Sequence, residues 1–567
     1  MSEASNIPPF ESLVYTRPDA VFIDDLFRKT RLLMRGARSA ESLIGILREF
    51  DAAWLSLRST ETLARIRRVT GPDRSYYRNE CSWFDNRRVT DEIRMADMIQ
   101  GLDQHRCRKE AETIIGRHVF RTAGRLHASI SPVIADDLAK EQQLEQAIAS
   151  SSIAAVGYSN PDHRHFAWND AEEQTDDERR HRLYLERAGQ ISATLKQRER
   201  FFDSLIDTRT RLATKMGYRN YLEYALVRHG IERAELDKRA EFRRLVKTHI
   251  VPLCRQIRIL QTERLDKNEL EPADYYFLMR EVWPEAKLRK EQTRAAYAES
   301  FSTLGDTLGK YFPALLLQGY VNDNQAETAA LRAPALFLPE ASAVYLNVGD
   351  ERLSTFVPSL FYATGIALGS RLFFYEKRSL LTICPPLLHR ALTGTAFMVL
   401  SYPEWERFLG RVSRLAEELE WTRRLLEIPL MCAIEAFEEQ LYQNPGWNIA
   451  ERSQLWHRLK QQYLPDEAGT DHLSIMPYGM DWLMIDQLAD SPLHHTEQAM
   501  ADVMVLSSKP FLPKNRSQTL AKQFRRLITE NTDGTVLERA MGAGFLSPYE
   551  TNTFRMAAFS AAMLLGL

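Results

Sequence analysis

The residue types that most often carry catalysis or metal binding are sparsely and awkwardly spaced in this chain. Two close histidine pairs occur, His163 with His165 and His494 with His495. Metal ligands on a helix must share a face, three or four positions apart, whereas neighbouring residues point about 100° from each other. Both pairs stand in polar, loop-like text, so surface histidines are the expectation. Glu376 and His389 form the best remaining acid–histidine pair, and two ligands without a third make a poor zinc site. The five cysteines, Cys81, Cys107, Cys254, Cys384 and Cys432, are odd in number and scattered. With no Cys-x-x-Cys they predict free thiols in a reducing compartment. The chain contains no His-Glu-x-x-His in either direction, no G-x-S-x-G, no G-x-x-x-x-G-K-[ST] and no G-x-G-x-x-G. The usual zinc-hydrolase, serine-hydrolase and nucleotide signatures are therefore absent.

The elements that must position any site belong to a large globular chain. Its 567 residues are 44% hydrophobic and 26% charged, a balance that predicts a folded protein of several lobes. The 74 basic and 76 acidic residues leave a net charge of −2, which supplies no field to draw in nucleic acid or an anionic membrane. The opening MSEASNIPPF has no basic and apolar leader pattern, and a cytoplasmic location is expected. Residues 353–370 carry no charge but include Pro358, Gly365, Gly369 and several Ser and Thr residues. That stretch predicts a buried core helix rather than a membrane span.

Helical periodicity dominates. Trp405, Phe408, Leu409, Val412, Leu415 and Leu419 follow a three-four spacing that predicts a helix over 405–440. Residues 179–226 read as a long helix whose charged face is solvated. The clearest strand text is 335–348, ALFLPEASAVYLNV, two short strands broken at Pro339, Glu340 and Ala341. Breaks are predicted at 151–177, at Asn444, Pro445 and Gly446, and at 465–470. The class is mainly α with a small sheet, divided into an N-terminal helical lobe over 1–200 and a second lobe over 201–567.

Three stretches carry a family resemblance. The first holds Tyr15, Arg17, Pro18 and Asp19, then residues 65–80 and Glu92. The second is residues 211–265, with Gly217-Tyr218, Asn220-Tyr221 and Val251-Pro252-Leu253. The third spans 320–402. Collinear over nearly the whole chain, they resemble the oligoendopeptidase F branch of the thimet-type zinc peptidases. The resemblance implies a zincin-like oligopeptidase fold, with two helical lobes around a deep cleft and a small β-sheet at the active site. It also implies a helix bearing His-Glu-x-x-His, two zinc ligands with a general base between them, and a third ligand, Glu, from a later helix.

The matching stretch here is 362–369, in which Gly365 and Ala367 keep the register. The ligand positions become Tyr362 and Ile366, the general base becomes Ala363, and the third ligand falls at Leu392. Ile, Ala and Leu offer no lone pair, and a phenol titrates near ~10 unperturbed. No acid occurs between Glu376 and Glu404. The family's transition-state donors lie in a Pro-Phe-Tyr-Tyr-like segment. Aligned on Pro477 and Gln487, their positions fall on Gly479 and Leu483, with His472, Tyr478 and Trp482 left as cleft residues. No cofactor and no metal are expected.

The expectation is a pseudopeptidase that binds a peptide or protein partner, including an active homologue, in the former cleft. Peptide would add as a strand along the sheet edge at 341–348, flanked by Tyr345 and Asn347. The alternative is an enzyme of another class that uses Tyr362, His389 or Tyr478 on a small molecule. A remoter one is a zinc oligopeptidase with non-standard ligands.

Overall fold

Helix starts follow caps written in the sequence. Asp19, Ser39, Asp73 and Asn220 each accept a backbone N–H of the first turn, and Asn448 with Glu451 and Thr535 with Glu538 form reciprocal capping boxes. The structure is a computed structural model. It describes residues 7–151, 176–275, 277, 295–296, 299–300, 308–322, 331, 333–348, 353–375, 386–469, 478–508, 517–529 and 534–567. His163, His165, Glu376, Cys384, His472, Pro477 and most of the predicted 151–177 loop lie outside these residues.

The helices are α1 (Ala20–Gly36), α2 (Ala40–Thr70), α3 (Arg74–Ile99), α4 (Arg108–Ile115), α5 (Arg117–Ser129), α6 (Ala135–Ser151), α7 (Asp177–Lys215), α8 (Tyr221–His229), α9 (Arg233–His249), α10 (Val251–Leu265) and α11 (Leu308–Leu317). Strands β1 (Val321–Asn322), β2 (Ala335–Leu338) and β3 (Ala343–Asn347) follow. Then come α12 (Leu353–Tyr375), α13 (Leu387–Leu400), α14 (Tyr402–Leu409), α15 (Ser413–Gln443), α16 (Ile449–Tyr463), α17 (Pro465–Gly469), α18 (Gln487–Asp490), α19 (Thr496–Ser507), α20 (Ser517–Thr529), α21 (Val536–Gly542) and α22 (Thr551–Leu565).

One hydrophobic core draws on α1 to α5, with Phe27, Phe50 and Trp54 at its centre, and a larger one runs through the rest of the chain. The mainly helical class with a small sheet holds, and 356–370 is an uncharged, almost wholly buried part of α12. Among the described residues no helix is long and apolar enough to cross a membrane.

Several expectations change. The boundary at residue 200 falls inside the unbroken helix α7. The helix predicted over 405–440 is two, because Gly410 takes φ 56°, a left-handed value that ends α14. The predicted break at 465–470 is largely α17, which has Pro465 at its first position and Asp466 and Glu467 in its first turn. The charged face of α7 is not simply solvated, since Arg180, Arg198 and Arg209 are fully buried. Each has partners: Asp274 for Arg180, the Leu483 carbonyl and Asp486 for Arg198, and Glu141 with the Tyr442 hydroxyl for Arg209. Periodicity cannot distinguish a solvated guanidinium from one whose carboxylate partner arrives from a distant helix.

The sheet order is β1-β3-β2, with β3 parallel to β1 and antiparallel to β2. The strand expected at the edge is therefore the central one, paired with β2 along Ala343–Leu346 and with β1 at Leu346 and Asn347. Every residue of β3 is buried.

Candidate functional site

The four positions aligned with zinc chemistry sit where α12 lies against α13. Tyr362, Ala363 and Ile366 come from α12 and Leu392 from α13; none is more than 2% exposed. Close approach of these helices depends on glycines. A methyl on Gly394 would lie 2.6 Å from the Tyr362 ring, and one on Gly369 would lie 2.6 Å from the Thr393 side chain. At Gly365 it would run into the Thr393 carbonyl. Ala363, Ile366 and Leu392 are packing residues in this seam.

Tyr362 is the polar member, and its partner comes from α19. Its hydroxyl donates to Gln498 Oε1 at 2.7 Å. The Gln498 amide donates to Thr395 Oγ1 at 3.0 Å and to Asp502 Oδ1 at 2.9 Å. Thr395 Oγ1 in turn donates to Asp502 Oδ1 at 3.0 Å. Arg424, from α15, donates to the same Asp502 oxygen at 2.9 Å and to Glu420 Oε1 at 2.6 Å. Its guanidinium carbon stands 5.1 Å from the centroid of the Tyr362 ring, within cation–π range. Arg424 is 1% exposed. Sequence reasoning missed Gln498, Thr395, Asp502 and Arg424.

A signal for α19 was present. Pro492, Leu493, His494 and His495 also precede a helix, and this segment leads to Tyr362. Of the expected donor positions, Leu483 offers its carbonyl to Arg198 at 2.6 Å, and Gly479 lies close against the Ser453 carbonyl. Trp482 is fully buried between Phe202 and Phe437, so it is a core residue and not a cleft wall. Tyr478 is 59% exposed and packs on the His457 ring. Tyr345 is buried against Phe10, and Asn347 links strands by accepting from Asn322 Nδ2 at 2.9 Å and donating to the Ala333 carbonyl at 3.0 Å. Both belong to the central strand of the sheet rather than to an edge.

His389 is buried on α13, with Nε2 3.4 Å from the Gly369 carbonyl. Burial, then the Arg539 charge, pushes it down to about 3, so the ring is neutral at physiological pH. Against the surface expectation, His495 is buried and His494 is part-buried. His495 is buried with Nε2 3.1 Å from Glu438 Oε2. His494 Nδ1 lies 2.9 Å from Glu497 Oε1, and its Nε2 lies 3.3 Å from His229 Nδ1. The turn before α19 holds Leu493 at φ 63°, a strained value for a residue with a Cβ. Glu438 accepts the Leu493 N–H at 2.7 Å, and Arg239 donates to its carbonyl at 3.0 Å. Arg239 also pairs with Glu435 and Glu497 at 2.9 Å each. These buried charges are matched, which is why the polar text of 491–498 can lie inside.

No family model matches the chain, and no curated protein does. Solved structures do. Pz peptidase A with an inhibitor superposes with a TM-score of 0.85 at 19% identity, over 98% of this chain and 99% of that one. An oligoendopeptidase F structure gives 0.84 at 20% identity, over 99% of both chains. One from Bacillus anthracis gives 0.83 at 16%, again over 99% of both.

The chain has the oligoendopeptidase F fold.

The residues present in this oligoendopeptidase F fold can be tested against the zinc ion that the resemblance implies. At the aligned positions the one heteroatom is the Tyr362 hydroxyl, which is engaged with Gln498. Among the described residues, no three His, Cys, Asp or Glu side chains gather to hold a metal. The seam between α12 and α13 does not fit zinc.

Proposed function

We propose that this chain is an oligoendopeptidase F relative that has given up zinc peptidase chemistry and binds a peptide or protein partner. The observation that carries the reading is the Tyr362 seam. The positions for two ligands, the general base and the third ligand hold Tyr362, Ile366, Ala363 and Leu392, which are buried and packed or hydrogen-bonded within the protein. Metal-assisted attack on a peptide bond needs an open coordination position and a base beside it, and these residues supply neither. Apolar replacement in a buried site is physically easy, because it leaves no charge in need of a partner.

Recognition by strand addition survives as part of this reading, moved from β3 to β2. The Asn347 N–H bonds the Pro334 carbonyl at 2.9 Å, and Leu336 faces Tyr345. By the alternation of an antiparallel ladder, Ala335 directs its backbone groups away from β3. A peptide pairing there would use main-chain hydrogen bonds and need no metal. Action in the cytoplasm, alone or beside an active homologue, belongs to the same proposal.

The test is the metal content of the untagged protein by inductively coupled plasma mass spectrometry, after zinc exposure and desalting, alongside cleavage of a quenched fluorescent peptide. Near-zero zinc and no cleavage are expected. One retained zinc per chain, or cleavage abolished by a chelator, would overturn the reading.

A further inference from the structure

The Tyr362 seam lacks a metal donor set, yet it is not an apolar plug. Side chains from α12, α13, α15 and α19 converge on one buried network. The Arg424 guanidinium stands over the Tyr362 ring of α12 at 5.1 Å. From α13 it meets Thr395 Oγ1 at 3.3 Å and Met398 Sδ at 3.6 Å. On its own helix, α15, it donates to Glu420 at 2.6 Å, and on α19 it donates to Asp502 at 2.9 Å. Arg423 reaches the other Glu420 oxygen at 3.3 Å from the more exposed side.

We infer that Arg424 is a built-in cation that takes over the cross-linking part a metal ion would play at this junction, tying α12, α13, α15 and α19 together. This rests on reading Tyr362, Ala363, Ile366 and Leu392 as former ligand and base positions. A bound metal and a buried guanidinium have one structural effect in common, because each draws acceptors from separate segments around a positive charge. They differ in what else they can do. Guanidinium is planar, permanently charged at physiological pH and covalently attached, so a chelator cannot remove it. It also has no exchangeable coordination position, so it can organise the helices without activating water. Burial works against the charge, but Asp502 and Glu420 more than offset this and move the group's titration further upward. The carboxylates in turn lean on the cation, since removing it takes a buried charge partner from Asp502 and leaves Glu420 with the more exposed Arg423.

Thermal unfolding of the full chain tests this, using wild type, Arg424→Met, Arg424→Lys and the neutralised triple variant Arg424→Met/Glu420→Gln/Asp502→Asn. Wild-type Tm is expected to stay fixed on adding a chelator or excess zinc. Arg424→Met should lower Tm by roughly 2–4 °C, because two buried carboxylates lose their shared cation. The triple variant should recover more than half of that loss. Arg424→Lys should recover less than the triple, because an ammonium cannot reproduce the planar fork. A chelator-sensitive Tm, an Arg424→Met variant within about 1 °C of wild type, or a triple variant no more stable than the single one would overturn the inference. If Arg424→Met is insoluble, the triple decides alone: a soluble triple close to wild type supports the cation's role, and an insoluble one refutes it. Zinc-dependent peptide cleavage by wild type would instead strike the proposed function, an outcome separable from the Tm series.

Discussion

Helix α19 takes part in two buried polar junctions that differ in kind. At its start, Thr496 and Glu497 join Arg239, Glu435, His494, His229 and the strained turn at Leu493. Farther along, Gln498 and Asp502 join Tyr362, Thr395 and Arg424. The first junction contains imidazoles, and burial, helped by His494, holds the His229 ring toward its neutral form. The second is built from a guanidinium, a phenol, an amide, a hydroxyl and paired carboxylates. Two networks on one helix can thus be equally buried and still answer to different variables. One should respond to pH, and the other to removal of a single fixed charge or to loss of close helix packing.

The largest effect that would break this comparison is expected at Arg239. Arg239→Met leaves Glu497 buried without its arginine, leaves Glu435 with Arg243 alone and frees the Leu493 carbonyl. A loss of about 3–5 kcal/mol is expected from urea unfolding at neutral pH. A loss near zero would mean that the first junction contributes little to the fold.

Next is the pH profile of unfolding. Burial, helped by His494, holds His229 well below its ordinary value. Burial, then Arg539, holds His389 to about 3. Groups with depressed histidine pKa favour the folded state above the unfolded value of ~6.5, and that contribution is lost as pH falls below it. For His389 the loss extends down to about 3. His495 has the opposite sign. Burial opposes its charge, but neighbouring Glu438 raises its pKa overall. Its contribution is full below ~6.5 and disappears as pH climbs through the raised value. Stability measured against pH should therefore fall on both sides. His229→Gln should flatten the acid arm and His495→Gln the alkaline arm, by roughly 1–2 kcal/mol each. Tyr362→Phe should leave both arms unchanged, and a changed arm in that variant would erase the distinction between the junctions.

Two smaller effects sharpen the second junction. Gly394→Ala pushes a methyl into the Tyr362 ring and should cost about 1–3 kcal/mol by denaturant unfolding, as overpacking does. Tyr362→Phe removes the donor to Gln498 Oε1 while keeping the ring beneath Arg424. It should cost about 1 kcal/mol. A larger loss for Tyr362→Phe than for Gly394→Ala would shift the weight of this seam from packing to hydrogen bonding.

The mainly helical class, the buried character of 356–370 and the small sheet near 335–348 were all legible in the sequence. Each rests on local composition and periodicity, which survive as α12, β2 and β3. The collinear likeness over 15–402 was legible too, and the fold agrees with it. The absence of zinc-binding side chains at Ala363, Ile366 and Leu392 could be read from residue identity, because a carbon side chain has no lone pair wherever it is placed. What those residues touch emerged only with the tertiary structure. It put β3 in the middle of the sheet, buried His495 beside Glu438, placed Trp482 in the core and brought Gln498 to Tyr362 across 136 positions. It also turned arginines of a seemingly solvated helix face inward onto distant carboxylates. None of these outcomes has a local signature. A hydrogen bond or ion pair between helices depends on which faces meet, and that is fixed only when the whole core packs.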